Sequence, residues 1–568
     1  MFELACNIIG INKKGNSMFI RVKSTPNSPR LSVQIVENVR DGEKVKQKII
    51  RHVGIAANND ELEKLKDVAE FIKANIENEK EPYLFAPETM AELAIEGRKK
   101  KEEVPDNVKL KDVETVQDVV TGIHDIYGEV YQELGFDKVI PRPASHENAL
   151  KKLFHIIMGR IASPGSKKHT VEILESNFGI SFSLDSVYRM MDLIDEECIK
   201  RINMFARDSA EKLLKEKVRV LFYDCTTLYF ESFTPDELKQ NGYSKDLMFN
   251  QPQVLLALMA TVEGLPLGYE VFPGSTFEGN TLKTMIGQLK ENYDIESLTF
   301  VADSAMLSFA NLSYLESEKI KYIVGCRIKN QSKEIISSIQ DISSYTQLES
   351  EKAKEIVLGE KRIISTYSIT RAQKDAKDRE ENILRMKKKL SSSKNPKSLI
   401  SNSGYKKYLK LKGESEIEID EAKIAQSAKF DGLHAVITND METTLEEIIE
   451  QYHNLWQIEE CFRISKHDLK IRPIFHWTPK RIRAHIAICF MSLVCVRHIS
   501  YRIKLQHDAM SPERIRTALI TSNLRIVKHK KTNNHYAIPS NASPEAVKIY
   551  KIFGKDYSKT PFAINISK

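Results

Sequence analysis

Across residues 18–55, MFIRVKSTPNSPRLSVQIVENVRDGEKVKQKIIRHVGI, apolar and polar residues alternate, with turn residues at Pro26 to Pro29 and at Asp41-Gly42. A period of two marks half-buried strands, so the stretch predicts a three-stranded antiparallel meander ending near Gly54. Residues 1–17 add little pattern, which makes Met18 a candidate start. Over 60–101, and again over 112–217, apolar residues recur at helical spacing, as in ELEKLKDVAEFIKANIE and NALKKLFHIIMGRIA. Pro141-Arg142-Pro143 and Ser163-Pro164-Gly165 divide the second region into short helices.

From 219 to 327 the pattern switches to strand, strand, strand, helix, strand, helix, strand. The predicted strands are 219–224, 253–263, 266–272, 298–303 and 321–326; the helices are 281–291 and 307–319. This is the order of a mixed sheet with helices on its faces, an α/β fold. Residues 328–429 break the rhythm, with a strand-like piece at 362–370, a charged helical segment at 371–391 and the loop SSSKNPKS at 391–398. DGLHAVITN at 431–439 restores the sheet pattern, and a long helix over 445–469 and an isoleucine-rich helix over 481–503 follow it. The tail beyond 505 is basic and mixed. The expected domains are therefore 1–56 (β meander), 57–217 (helical), 218–327 (first part of the core), 328–429 (insertion), 430–505 (second part of the core) and 506–568 (basic C-terminal region).

Composition narrows the class. With 41% hydrophobic and 29% charged residues, the chain is of the soluble globular type, and its 568 residues are too many for one core. Eighty-five Lys and Arg against 78 Asp and Glu give a net charge of +7, which permits a polyanionic partner without requiring one. Basic clusters stand at 98–101, 371–397 and 528–531. The seven cysteines, at 6, 198, 225, 326, 461, 489 and 495, form no CxxC pair, so neither a zinc knuckle nor a disulfide framework is expected. A reducing cytoplasm fits this usage. No secretory leader is legible, and the longest apolar run, 486–496, is too short to cross a bilayer and reads as a core helix.

RVLFYDCTTLYF at 219–230 places Asp224 directly after an apolar run. An unpaired carboxylate in a core costs several kcal/mol, so Asp224 is expected where the strand emerges into water or meets a neutralising partner. TFVADSAM at 299–306 repeats the arrangement, with Phe300-Val301-Ala302 ending at Asp303. Alone, each aspartate reads equally as a turn residue or helix cap. A third acid lies in YHNLWQIEECFRISK at 452–466. Seven residues nearly complete two helical turns, so Tyr452, Glu459 and Lys466 should share a face, beside an apolar stripe of Leu455, Ile458 and Phe462 that seats the helix on the sheet. The plainer reading pairs Glu459 with Arg463 at i,i+4. Glu460, about 100° round the helix, is the weaker candidate.

Three converging carboxylates repel one another unless a cation is present, which implies a hard divalent metal held by oxygen ligands. Two Mg²⁺ ions about 3.5–4 Å apart, with Mn²⁺ able to substitute, would activate a water or 3′-hydroxyl and stabilise the leaving oxygen. Arg463 and Lys466 would then bind phosphates, and Tyr452 would donate to or stack on the strand being cut.

In order and context, Asp224, Asp303 and Glu459 resemble the DDE triad of insertion-sequence transposases with a ribonuclease-H-like fold. Tyr452, Glu459 and Lys466 match the Tyr-x2-Arg-x3-Glu-x6-Lys signature of that superfamily. FYDCTTLYFE, GYSKDLMFNQPQV, GLPLGYEVFPGSTFEGNT, VADSAMLS, DGLHAVITN and IEECFRISKHDLKIRPIFHWTPKRIRAHIAICFMSL resemble segments of the insertion-sequence-1634 group. The likeness runs from the N-terminal strands to about residue 505. One position departs from it: the signature arginine falls at Leu455, so its DNA contact does not carry over, and Arg463 is the candidate replacement.

Asp303 lies 79 positions beyond Asp224 (303 − 224) and Glu459 lies 156 beyond Asp303 (459 − 303). The long second gap resembles the insertion domain that such transposases carry before the glutamate helix. The resemblance implies a transposase that binds the terminal inverted repeats of its own element as double-stranded DNA, cuts there and joins the 3′ ends to target DNA. It further implies a homodimer in the DNA complex. The helical region 57–217 reads either as a packing domain or as a DNA-end-binding domain, and no recognition-helix signature decides between them. The alternatives are a ribonuclease-H-fold nuclease without strand transfer and an inactive DNA-binding regulator.

Overall fold

The computed structural model describes residues 18–25, 28–41, 44–56 and 108–564, apart from 143–145, 232–233, 244–249, 291–297, 307, 350, 393–407, 413–415 and 558; between 57 and 107 it describes only 62, 63, 65, 66, 69 and 73. The helix expected over 60–101, the basic cluster 98–101 and most of the 391–398 loop thus lie outside the described residues. The chain divides into two compact units, one formed by 1–130, 171–182 and 499–568, the other by 131–170 and 183–498.

In the first unit, β1 (Met18–Thr25), β2 (Ser28–Asp41) and β3 (Lys44–Ala56) form the expected antiparallel meander in sequence order. Alternation turns Val33 and Ile35 to one face, where they are buried with Ala69 against the partly buried Ile20, Val53, Leu62 and Leu65.

The second unit is built on a nine-stranded sheet. Its strands are β5 (Val220–Tyr229), β6 (Gln253–Ala260), β7 (Pro266–Pro273), β8 (Thr299–Ala302), β9 (Lys321–Gly325), β10 (Thr346–Gln347), β11 (Lys352–Leu358), β12 (Lys361–Tyr367) and β15 (Leu433–Thr438), in the order β10-β11-β12-β15-β9-β8-β5-β6-β7. A small hairpin, β13 (Leu409–Lys412) and β14 (Glu416–Ile419), stands apart from it. The strand β4 (Val113–Val120), which precedes these in the chain, belongs to the first unit.

Strands β5, β6 and β7 form an antiparallel meander, whereas β5, β8 and β9 run parallel, linked by helices Glu278–Lys290 and Phe309–Ser317. Parallel strands covered on both faces must be apolar throughout, which accounts for the uninterrupted runs in β5 and β8. QVLLALMA in β6 is buried at every position. Helix Glu196–Leu214 lies on β7, where Asn203 donates to the Tyr269 carbonyl (3.0 Å) and accepts from the Tyr269 amide (3.2 Å).

Three expectations are corrected here. Residues 328–429, expected as an insertion domain, in part extend the core sheet, because β12 pairs antiparallel with β15 and β11 with β12. The region 112–217 opens with a strand rather than a helix: β4 pairs with β16 (Asn523–His529), which pairs in turn with β17 (His535–Pro539), with β18 (Phe562–Ile564) beyond. The residues after 505 are therefore an integral part of the first unit, with Val119, Leu524, Ile526, Ala537, Phe562 and Ile564 forming its second core. The apolar run 486–496 lies within a 28-residue helix, Pro479–Gln506, long and apolar enough to cross a membrane, but nearly all of its apolar stretch is buried, as a core helix requires.

Candidate active site

Strands β5 and β8 pair in parallel with Val220 opposite Thr299 and Tyr223 opposite Ala302. The next positions in that register are Asp224 and Asp303, on neighbouring strands spaced about 4.8 Å apart. Strand β8 stops at Ala302, while β5 runs on to Tyr229 with Asp224 opposite Leu258 of β6. Asp224 therefore does not end its strand, as the sequence suggested. It sits in a notch where the sheet loses a neighbour, and that notch gives it water. Asp224 is half-buried and accepts from the Cys225 amide (2.7 Å); Asp303 is exposed and accepts from the Ser304 amide (2.5 Å).

Alternation sends Tyr223 and Cys225 to the opposite face, where the Tyr223 hydroxyl meets Thr281 Oγ1 at 2.5 Å. Burial pushes the Cys225 thiol up to about 12, so this cysteine beside Asp224 stays protonated and is no nucleophile.

Tyr452 lies at the end of helix Leu445–His453. Its hydroxyl fills the space over Gly325, the last residue of β9: a Cβ there would lie 2.6 Å from Tyr452 Oη and 2.9 Å from the Ser304 amide nitrogen. The tyrosine is thereby held beside the turn that carries Asp303. Burial raises its phenol pKa, and the charges of Asp303 and Glu459 push the same way against Arg371, so it remains a donor. Its ring centroid is 5.1 Å from that of His434. Burial drives His434 down to about 4, with Arg371 and His453 adding to the effect and Asp303 opposing it. His434, Arg371 and Gly325 were missed by the sequence reading; the only signal was the histidine inside DGLHAVITN, flanked by apolar strand residues.

The helix predicted over 445–469 is broken. Helix Leu445–His453 ends in a tight turn, and the bonds from Leu455 N to Tyr452 O (3.0 Å), Gln457 N to Asn454 O (3.0 Å) and Ile458 N to Leu455 O (3.1 Å) all span three residues. A second helix, Trp456–Arg463, follows, then a π-helical turn, Ile464–Asp468. The first break is wound more tightly than an α-helix and the second more loosely, so Tyr452, Glu459 and Lys466 stand on three successive segments rather than on one regular helix. The apolar stripe itself forms: Leu455, Ile458 and Phe462 are buried, and helix Trp456–Arg463 packs on β5 and β6.

Glu459 is exposed on that helix, and Lys466 is partly buried. Arg463 does not pair with Glu459. It forms a bidentate pair with Glu460 (2.6 and 2.7 Å) and reaches Asp468 (3.2 Å).

Among the described residues, no group of three or more His, Cys, Asp or Glu side chains is gathered closely enough to hold a metal ion. Asp224 and Asp303 supply two hard oxygen donors at one strand register, a donor chemistry that suits a divalent cation, and the charges of Asp303 and Glu459 both act on Tyr452.

Residues 217–495 match the family model of the transposase DDE domain. The second unit thus carries the core of a DDE transposase, a metal-dependent polynucleotidyl transferase that acts on DNA. Residues 20–82, which include the meander, match the N-terminal domain of the IS1634 family transposases. The chain belongs to that family of insertion-sequence transposases. Among solved structures it is similar to the piggyBac transposase synaptic complex with hairpin DNA, at 10% identity and a TM-score of 0.36, over 70% of this chain and 77% of that one. No curated protein sequence matches it.

Proposed function

We propose that the protein binds the terminal inverted repeats of its own insertion sequence, cuts the DNA there and joins the freed 3′ ends to target DNA, using Asp224, Asp303 and Glu459 as its catalytic carboxylates on a ribonuclease-H-like sheet. The observation that carries this reading is the shared register of Asp224 and Asp303 on adjacent parallel strands, at an edge opened by the end of β8. In open α/β sheets, ligands bind outside the carboxyl ends of the strands. The helix carrying Glu459 packs on the strand that carries Asp224.

Asp224 and Asp303 would hold Mg²⁺, with Glu459 as the third ligand, and two such ions would supply Lewis-acid charge to the phosphoryl transfer. Tyr452, kept protonated, donates to a phosphate beside Asp303. Lys466, which follows Glu459 by seven positions, is the charge for the phosphate backbone. We assign the ends to a homodimer, with helices of the 57–217 region reading the repeat. The test is incubation of the protein with repeat-bearing DNA, Mg²⁺ and a supercoiled plasmid. Wild type is expected to yield cut and joined products, and Asp224→Asn or Asp303→Asn neither. Full activity in either variant would sink the assignment, and cutting without joining would leave a nuclease.

A further inference from the structure

Residues 469–483, LKIRPIFHWTPKRIR, follow the glutamate helix and carry five cationic side chains and no acidic one. Ile474 and His476 are buried, whereas Phe475 is 59% and Trp477 69% exposed. Two large aromatic faces standing in water beside a DNA-cutting site need a reason.

The segment beneath them is firmly held. Buried Arg160 donates to the carbonyls of Leu469 (2.8 Å), Lys470 (3.1 Å) and Gly165 (2.9 Å). His485 Nε2 is 2.9 Å from the Ile471 carbonyl, and its Nδ1 is 3.1 Å from Lys167 Nζ. Arg472 donates to the Tyr229 carbonyl (2.8 Å) and lies 3.1 Å over the Tyr229 ring, which ties the segment to the last residue of β5. The Lys239 ammonium is 5.6 Å from the Trp477 ring centroid. A preordered aromatic pair loses little entropy on binding.

Charge chooses the partner. Exposed Lys470 and Lys480 flank the aromatics, so a polyanion is favoured over an apolar protein face, and DNA is already the substrate. A paired duplex hides its base faces; unpaired bases offer them. Tyr229 lies five residues beyond Asp224, about 16 Å along the strand at 3.3 Å per residue. Arg472 thus anchors the segment about that far from Asp224 along the strand.

Building on the transposase reading, we propose that Phe475 and Trp477 form a stacking platform for unpaired bases of the DNA strand near the cut. The test uses duplexes carrying the terminal inverted repeat, either fully paired or mismatched over the base pairs next to the cleavage site, with 2-aminopurine in the mismatch. Wild type is expected to bind the mismatched end roughly 5- to 150-fold more tightly, the range of one base–aromatic stack, and to change the 2-aminopurine fluorescence. Trp477→Ala should erase the preference and the fluorescence change while leaving affinity for the paired end unaltered; Trp477→Phe should restore most of both.

Retention of the full preference in both Trp477→Ala and Phe475→Ala would overturn the inference. So would a changed subunit stoichiometry of Trp477→Ala with the preference intact, since the surface would then serve a second copy of the chain. Failure of wild type to bind even the paired repeat would overturn the end-binding reading and this inference with it.

Discussion

Gly325→Ala tests the geometry that holds Tyr452 beside Asp303. The added Cβ would lie 2.6 Å from Tyr452 Oη and 2.9 Å from the Ser304 amide nitrogen. Ordinary contact begins at 3.4 Å, so the hydroxyl must retreat by about 0.8 Å (3.4 − 2.6), and the Ser304 backbone is less able to yield. Overpacking of this kind costs about 1–3 kcal/mol. A misplacement near 1 Å in a reacting site costs on the order of 100-fold in rate.

Single-turnover cleavage of an end oligonucleotide, with a urea midpoint measured in parallel, is the assay. Gly325→Ala is expected to slow cleavage by roughly 10- to 100-fold and to lower stability by about 1–3 kcal/mol. Tyr452→Phe removes the nearer of the two conflicts and leaves the Ser304 one, so Gly325→Ala should slow cleavage less in the Tyr452→Phe background than in wild type. Strict additivity in this cycle would mean that the two residues act independently and that the reasoning is wrong.

Acid should destabilise the protein between pH 6.5 and 4. His434 is held at about 4, against 6.5 for the free group, so below pH 6.5 the unfolded chain binds the proton that the folded one refuses. The penalty is absent above pH 6.5, grows as pH falls and amounts to at most about 3 kcal/mol for this residue. His434→Gln should therefore flatten the fall of the urea midpoint with pH, while His124, His476 and His485, shifted the same way, keep part of it; an unchanged slope would count against the burial of His434. Arg463→Ala is expected to leave the salt dependence of end binding unchanged, because Glu460 and Asp468 already occupy its guanidinium. A drop of about one unit in that slope would instead show that Arg463 contacts a phosphate.

The meander of 18–56 was legible because one of its faces is buried and the other wet, so its side-chain period appears in the letters. Asp303 at a strand end was legible too, since β8 is short, apolar after Thr299 and followed at once by the acid. Asp224 was half legible: an acid within an apolar run demanded water, yet the strand continues past it, and only the order of the sheet shows that β8 ends alongside and opens the notch.

The break at Asn454 and Leu455 left no mark, as both keep right-handed helical angles and neither is glycine or proline. The partner of β4 lies 405 residues along the chain (524 − 119) and that of β12 lies 72 (436 − 364), and local pattern cannot name a partner that loop closure brings in from so far away. Hydrophobic period and residue chemistry thus determined which elements form and which acids need an explanation. Strand pairing and helix packing, set by contacts remote in sequence, decided that Asp224 and Asp303 share one register, that the helix carrying Glu459 packs on the strand of Asp224, and that Tyr452 rests on a glycine beside Asp303.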